Sequence, residues 1–204
     1  MITLKEYNTK LSRLKSTRKM TRTMKMVAAN KLRKAQESHR RAAGYGQSLT
    51  SMVLRAGEGD PPLHPLTEPR RTVKNILILL VTSDRGLCGS FNNNLNRQVE
   101  QWVGRRGGQE QVQMSFCGRR GLMYFRNRAT VVKHYEGVMA KASFGAVRGI
   151  SRELEGMFLS GKVDEVYVAY NMFRSAMSRS AVVERLLPLG VTGPDGVKGV
   201  AEKS

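Results

Sequence analysis

Along the first 56 residues, apolar or small side chains recur at every seventh place: Tyr7, Leu14, Thr21, Ala28, Ala35, Ala42 and Leu49. A row with this period is the seam of a long helix that lies against another helix. Leu4 and Leu11 open a second row, continued loosely by Met24, Leu32, Tyr45 and Met52. The middle of the seam is small, with Ala28, Ala35 and Ala42 flanked by Ala29 and Ala43, so a second helix can approach closely. Thr3 and Glu6 form a capping box that satisfies two orphan amides at the start. Fully helical, the segment is about 80 Å long. Gly44 and Gly46 are the places where it is expected to kink or end. Each Leu buried in such a seam contributes roughly 1.5–3 kcal/mol, a gain that requires a partner surface.

Beyond the helix the pattern changes. Gly57 to Arg71 holds Pro61, Pro62, Pro65 and Pro69 and reads as a linker. Val73–Thr82 is a nearly continuous apolar run, as expected of a strand buried on both faces. Gly89–Val103 reads as a helix, Val112–Cys117 as a strand and Arg119–Arg126 as a short helix. Thr130–Tyr135 reads as a strand, Ser143–Leu159 as a helix, Val163–Phe173 as a strand and Ser180–Leu187 as a last strand or extended segment. Alternating strands and helices predict a Rossmann-like α/β domain with a mainly parallel sheet and right-handed crossovers. The expected organisation is therefore a basic coiled-coil helix over 1–56, a Pro-rich linker over 57–72, the α/β domain over 73–189, and a Gly-rich, disordered tail over 190–204.

Charge narrows the choice of partner. The first 56 residues carry fourteen Lys or Arg against Glu6 and Glu37 alone, so twelve of the nineteen net positive charges sit there. An acidic surface is implied: nucleic acid, anionic membrane or an acidic protein. A basic helical arm that binds RNA or another nucleic acid is one reading, since Lys and Arg neutralise phosphates. Against it, the helix offers only Tyr7 and Tyr45 for stacking, and no RNA-recognition or helix-turn-helix signature is present. The longest apolar run, Ile76 to Val81, is too short to span a membrane. No apolar secretory region opens the chain, and the seven-residue row continues past the length of a mitochondrial transit peptide.

Candidate chemistry is sparse. Cys88 and Cys117 lack a metal-binding spacing, only His39, His64 and His134 are available, and two reduced thiols are the simpler reading. Thr82 to Ser90 leaves the carboxyl end of the first strand and enters a helix, a position where open α/β sheets bind ligands. Gly-rich amides at a helix start can hold phosphate. The segment is neither a P-loop nor Gly-x-Gly-x-x-Gly. It reads as a structural turn in which Gly86 and Gly89 supply permissive backbone and Asp84 pairs locally with Arg85. Cys88 reads as a small buried residue, because no base is placed beside it. No catalytic residue, metal site or cofactor site is expected.

Two stretches carry a family resemblance. Residues 18–36, Arg-Lys-Met-Thr-Arg-Thr-Met-Lys-Met-Val-Ala-Ala-Asn-Lys-Leu-Arg-Lys-Ala-Gln, resemble the N-terminal helix signature of the F-type ATP synthase gamma subunit. Residues 82–92, Thr-Ser-Asp-Arg-Gly-Leu-Cys-Gly-Ser-Phe-Asn, resemble its strand-loop-helix motif, which places Asp84, Arg85, Gly86, Cys88 and Gly89 in a structural role. Gly118-Arg119-Arg120-Gly121 and Leu186-Leu187-Pro188-Leu189 follow in the family's order.

The resemblance implies a non-catalytic central-stalk rotor that couples ion flow through the membrane ring to ATP synthesis in the beta subunits. It implies alpha and beta partners around the helix, with Met24 and Lys25 at the contact and Lys31, Arg33 and Lys34 further along the same basic face. It also implies an epsilon subunit and a membrane ring at the α/β domain. The place implied is peripheral, on the cytoplasmic face of a bacterial inner membrane or the matrix side in mitochondria. The family's pattern continues past Leu189 with an aromatic-acidic stretch and a long C-terminal helix that mates with the first. The Gly-rich residues 190–204 do not resemble either, so the antiparallel mate is expected to be missing from this chain.

Overall fold

The computed structural model describes residues 3–57, 64–106, 108, 110–140, 143–175 and 178–189. The expected tail, 190–204, lies outside the described residues, as do 58–63 of the linker. Two compact units divide the chain, Met1–Leu49 and Thr50–Ser204.

Helix α1 spans Leu4–Gly57, 54 residues. Its start is the expected capping box: the Thr3 amide donates to Glu6 Oε2 at 2.8 Å and the Glu6 amide to Thr3 Oγ1 at 3.4 Å. Gly44 and Gly46 do not end it. Each costs roughly 1 kcal/mol relative to Ala in a helix interior, and the helical run on either side outlasts both. The seam is in water. Leu14 is 58% exposed, and Tyr7, Met24, Leu32 and Leu49 are exposed too.

The second unit is an α/β layer structure. Its strands are β1 Asn75–Val81, β2 Gln111–Cys117, β3 Thr130–Tyr135, β4 Glu165–Phe173 and β5 Arg179–Leu187. Its helices are α2 Phe91–Arg105, α3 Arg119–Phe125 and α4 Phe144–Leu159. They form one sheet in the order β3-β2-β1-β4-β5. The β1–β2, β2–β3 and β1–β4 pairs are parallel, and β4–β5 is antiparallel. The sheet is thus mainly parallel, as the alternation of elements predicts.

β1 sits at the centre, and its alternate residues face two cores. Ile76, Ile78 and Leu80 pack with Leu95, Val99 and Trp102 of α2 and with Phe116 and Phe125. Leu77 and Leu79 pack with Ile150, Leu154 and Phe158 of α4. Burial on both faces is why this strand reads as an unbroken apolar run. α4 begins on Ser143, whose Oγ accepts from the Ala146 amide.

The described end of the linker is ordered. Pro65–Thr67 makes a 3-10 turn, Leu66 packs against the α4-side core, and the Leu189 amide donates to the Leu66 carbonyl at 2.8 Å.

Candidate partner-binding helix and strand-loop-helix joint

On α1 the five residues expected at a partner, Met24, Lys25, Lys31, Arg33 and Lys34, are all exposed. They do not share one face. At about 100° per residue, Lys31 lies within about 20° of Met24, Lys34 about 80° away and Lys25 about 100° away, while Arg33 is on the opposite side. The expectation of a common basic face therefore fails for Arg33, because nine residues make two and a half turns. Arg33 instead faces Glu37 one turn on, with Nε to Oε1 at 3.8 Å and both side chains in water, a pair that contributes little. The charge of the helix surrounds it rather than forming a stripe.

The strand-loop-helix segment is a joint between two βα units. At the end of β1, the Thr82 amide donates to the Cys117 carbonyl at 2.8 Å. Thr82 Oγ1 accepts from the Gly121 amide at 2.9 Å and donates to the Gly118 carbonyl at 3.3 Å. Thr82 is only 1% exposed, so both bonds are made in a dry environment. Gly118 has φ +105°, and a Cβ there would stand 2.1 Å from the Thr82 carbonyl oxygen. Only glycine fits that backbone and that approach. Ser83 and Asp84 then receive α3: the Arg120 amide donates to the Ser83 carbonyl and the Arg119 amide to Asp84 Oδ1, both at 3.1 Å.

Asn92, on the first turn of α2, closes the loop from the other side. Its Oδ1 accepts from the Ser83 amide at 3.1 Å, and its Nδ2 donates to Ser83 Oγ at 2.9 Å and to Cys88 Sγ at 3.1 Å.

Three expectations about this loop change in detail. Asp84 serves the α3 backbone and forms no ion pair with Arg85 among the described residues. The left-handed positions are Leu87, at φ 63°, and Gly89, at φ 59°, and not Gly86. Gly86 lies under the Arg120 guanidinium, 2.5 Å from where its Cβ would stand, and that flexible side chain can swing aside. Cys88 is half-buried rather than buried, and it is a free thiol, as is Cys117. Cys117 is the inert one: burial, reinforced by Asp84, pushes its thiol up to about 11.

Away from the joint lies a buried ionic cluster that no sequence motif signals. Glu165, 6% exposed, faces Arg185 Nη1 at 3.2 Å and Arg106 Nη1 at 3.5 Å and accepts from the Tyr167 hydroxyl at 3.0 Å. Arg106 also reaches Glu110 at 3.5 Å and lies over the Trp102 ring at 4.4 Å. Burial pushes the Tyr167 phenol up to about 12, with the Glu165 carboxylate adding to the effect. The cluster joins two distant segments, 102–110 at the end of α2 and 165–185 on β4 and β5. Only a charged residue at the start of an apolar strand, Glu165 before Val166, hinted at it.

The family model described as ATP synthase matches residues 3–203. The ATP synthase gamma chain of Chlorobaculum tepidum is 37% identical over 211 residues, covering 99% of this chain and 71% of its own length. That of Chloroherpeton thalassium is 39% identical, covering 96% of this chain and 66% of its own length. The chain thus spans about two thirds of the length of the curated relatives it matches. Among solved structures, a chain of the Euglena gracilis mitochondrial ATP synthase, in an assembly with OSCP, F1 and c-ring, superposes with a TM-score of 0.56. It covers 89% of this chain and 56% of that one at 17% identity, which supports the shared fold. With nearly its full length matched by the family and more than a third of its residues identical to the relatives, the chain belongs to the ATP synthase gamma chain family.

Proposed function

We propose that this chain is a central-stalk rotor component of an F-type ATP synthase, without catalytic residues of its own. It would couple ion flow through a membrane ring to ATP synthesis in beta subunits. The observation that carries this reading is a 54-residue basic helix whose seven-residue row stands in water. In this role residues 1–56 are one strand of the shaft, 57–72 the connection and 73–189 the foot. A C-terminal gamma helix from outside these 204 residues covers the row. Alpha and beta subunits surround the helix, and an epsilon subunit and the ring meet the foot.

Charge on all sides of α1 suits a shaft that passes acidic surfaces in turn. Screened attraction of this kind biases orientation without locking it. Met24, Lys25, Lys31, Arg33 and Lys34 are the proposed contacts, with Arg33 meeting a different neighbour from Met24 and Lys31. Asp84, Arg85, Gly86, Cys88 and Gly89 hold the joint of the foot. Among the described residues no helix is long and apolar enough to cross a membrane. The proposed location is peripheral, on the cytoplasmic face of a bacterial inner membrane.

The test is sedimentation of the full chain with purified alpha and beta subunits at stepped salt. Co-sedimentation that weakens several-fold in the double variant Lys25→Glu, Lys31→Glu is expected. Failure to co-sediment, together with RNA binding whose affinity falls steeply with salt, would replace the rotor reading by the nucleic-acid one.

A further inference from the structure

The start of α1 is amphipathic in a way that a helical mate does not explain. At about 100° per residue, Leu4, Tyr7, Leu11 and Leu14 lie within an arc of about 80°. All four stand in water, Leu4 at 80% and Tyr7 at 61% exposure. The next residues on the same arc are Arg18, Arg22 and Lys25. Along one line, a straight helix therefore shows four large apolar side chains and then three cations. Lys10 and Lys15 flank the apolar part on its two sides, about 40° and about 20° beyond its edges. Glu6 is the only acid before Glu37, and it is engaged at the cap, where it accepts from the Thr3 amide.

A mate that follows the seven-residue row meets Thr21, Ala28 and Ala35 next, on a supercoiled path. It leaves Arg18, Arg22 and Lys25 without a purpose on the straight face. A flat surface with an apolar interior and anionic headgroups uses all seven residues. Leu4, Tyr7, Leu11 and Leu14 enter it, and the three cations that follow stay among the phosphates. Lys10 and Lys15 have stems long enough to reach headgroups from beside the inserted face. Four turns are too short to span a bilayer, so the segment lies in the interface. The capping box already satisfies the Thr3 and Glu6 amides, so the end that enters carries fewer bare donors.

We propose that residues 4–25 of α1 form a docking surface for an anionic lipid bilayer. The bilayer and a helical mate exclude each other, since both cover Tyr7 and Leu14. The contact therefore belongs to a chain whose row is open. It does not rest on the rotor reading, and its test contains no other subunit, so either can fail alone.

The full chain is sedimented with vesicles of phosphatidylcholine alone and with vesicles of phosphatidylcholine and phosphatidylglycerol in equal parts. Binding at least about tenfold tighter to the mixed vesicles is expected. The pair Leu11→Ala, Leu14→Ala keeps every charge and places a strong helix former at both positions. It should weaken binding to the mixed vesicles at least about tenfold. The pair Leu49→Ala, Met52→Ala removes exposed apolar surface from the far end of α1 and should leave binding within about twofold. Circular dichroism checks that both pairs keep the parent's helix content. If the first pair loses helix, Leu11→Gln, Leu14→Gln takes its place, because Gln matches Leu in helix propensity. No binding, equal binding to the two kinds of vesicle, or equal weakening by the two pairs would overturn the site. Binding that is unchanged in the Leu11, Leu14 pair and is displaced by poly(U) would also overturn it, and would assign the charge of α1 to nucleic acid.

Discussion

Gly118→Ala should damage the α/β unit more than its size suggests. The residue links β2 to α3 at φ +105°, a region where an L side chain costs on the order of 1–3 kcal/mol. The new methyl would also start 2.1 Å from the Thr82 carbonyl oxygen. That neighbour is backbone, so no rotamer change relieves the contact. Relief requires β1 and β2 to separate at their carboxyl ends, where the Thr82 amide meets the Cys117 carbonyl, or the Thr82 hydroxyl to leave the Gly121 amide. Either loss leaves a buried polar group unpaired, at about 1–3 kcal/mol. Together the strain and the lost bond come to about 2–6 kcal/mol, and the middle of that range lowers Tm by roughly 10 °C or more in a unit of this size. Trp102, the only tryptophan, lies in the core of this unit, so its fluorescence during urea unfolding reports the unit separately from α1. Thr82→Val, which removes the hydroxyl and adds no bulk, should lose about 1–3 kcal/mol. If Gly118→Ala unfolds within 1 kcal/mol of the parent, the joint is not the fixed point described above.

Gly149→Ala tests the opposite case, since it lies within α4 with nothing within 4 Å of its Cβ position. It should stabilise the unit by about 0.5–1 kcal/mol in the same urea titration. Glu165→Gln keeps an acceptor for Tyr167 but leaves the Arg106 and Arg185 guanidiniums facing a neutral amide at side-chain exposures of 13% and 9%. A loss of about 3 kcal/mol is expected, and a loss under 1 kcal/mol would show that the Glu165 charge is not what holds the two guanidiniums. Alkaline pH should destabilise the unit. The Cys117 thiol is held up at about 11 from 9.0, so the folded state keeps a proton that the unfolded chain releases first. Stability is then full below about pH 9 and declines as pH rises toward 11, and Cys117→Ala should flatten part of that slope in pH-stepped urea melts.

Much of this was legible because the local patterns agree with the fold. β1 declared itself through Ile76–Val81, a run apolar on both faces, and α4 through Ser143 as a cap before Ile150, Leu154 and Phe158. The seven-residue row was equally plain, since an exposed seam leaves a period without tertiary interference. What was hidden depends on contacts between distant segments. The reason for Gly118 is the Thr82 carbonyl, 36 residues earlier, and the partner of Asp84 is the start of α3. The left-handed Leu87 could not be anticipated, because that backbone is rare for a branched side chain. The antiparallel turn of β5 was also unreadable: its alternation is the same in either direction, and only pairing with β4 sets its sense.

That reversed strand has a mechanical consequence. β5 returns the chain to the end of the sheet where β1 began, and Leu189 is tied to Leu66 there by one backbone hydrogen bond. The two ends of the α/β layer therefore lie side by side, held by that bond and by Leu66 and Leu189 packed on the α4-side core. A pull applied to the segments flanking 66 and 189 loads that clasp first, in the unzipping direction, before it reaches the pairing of β1 with β4.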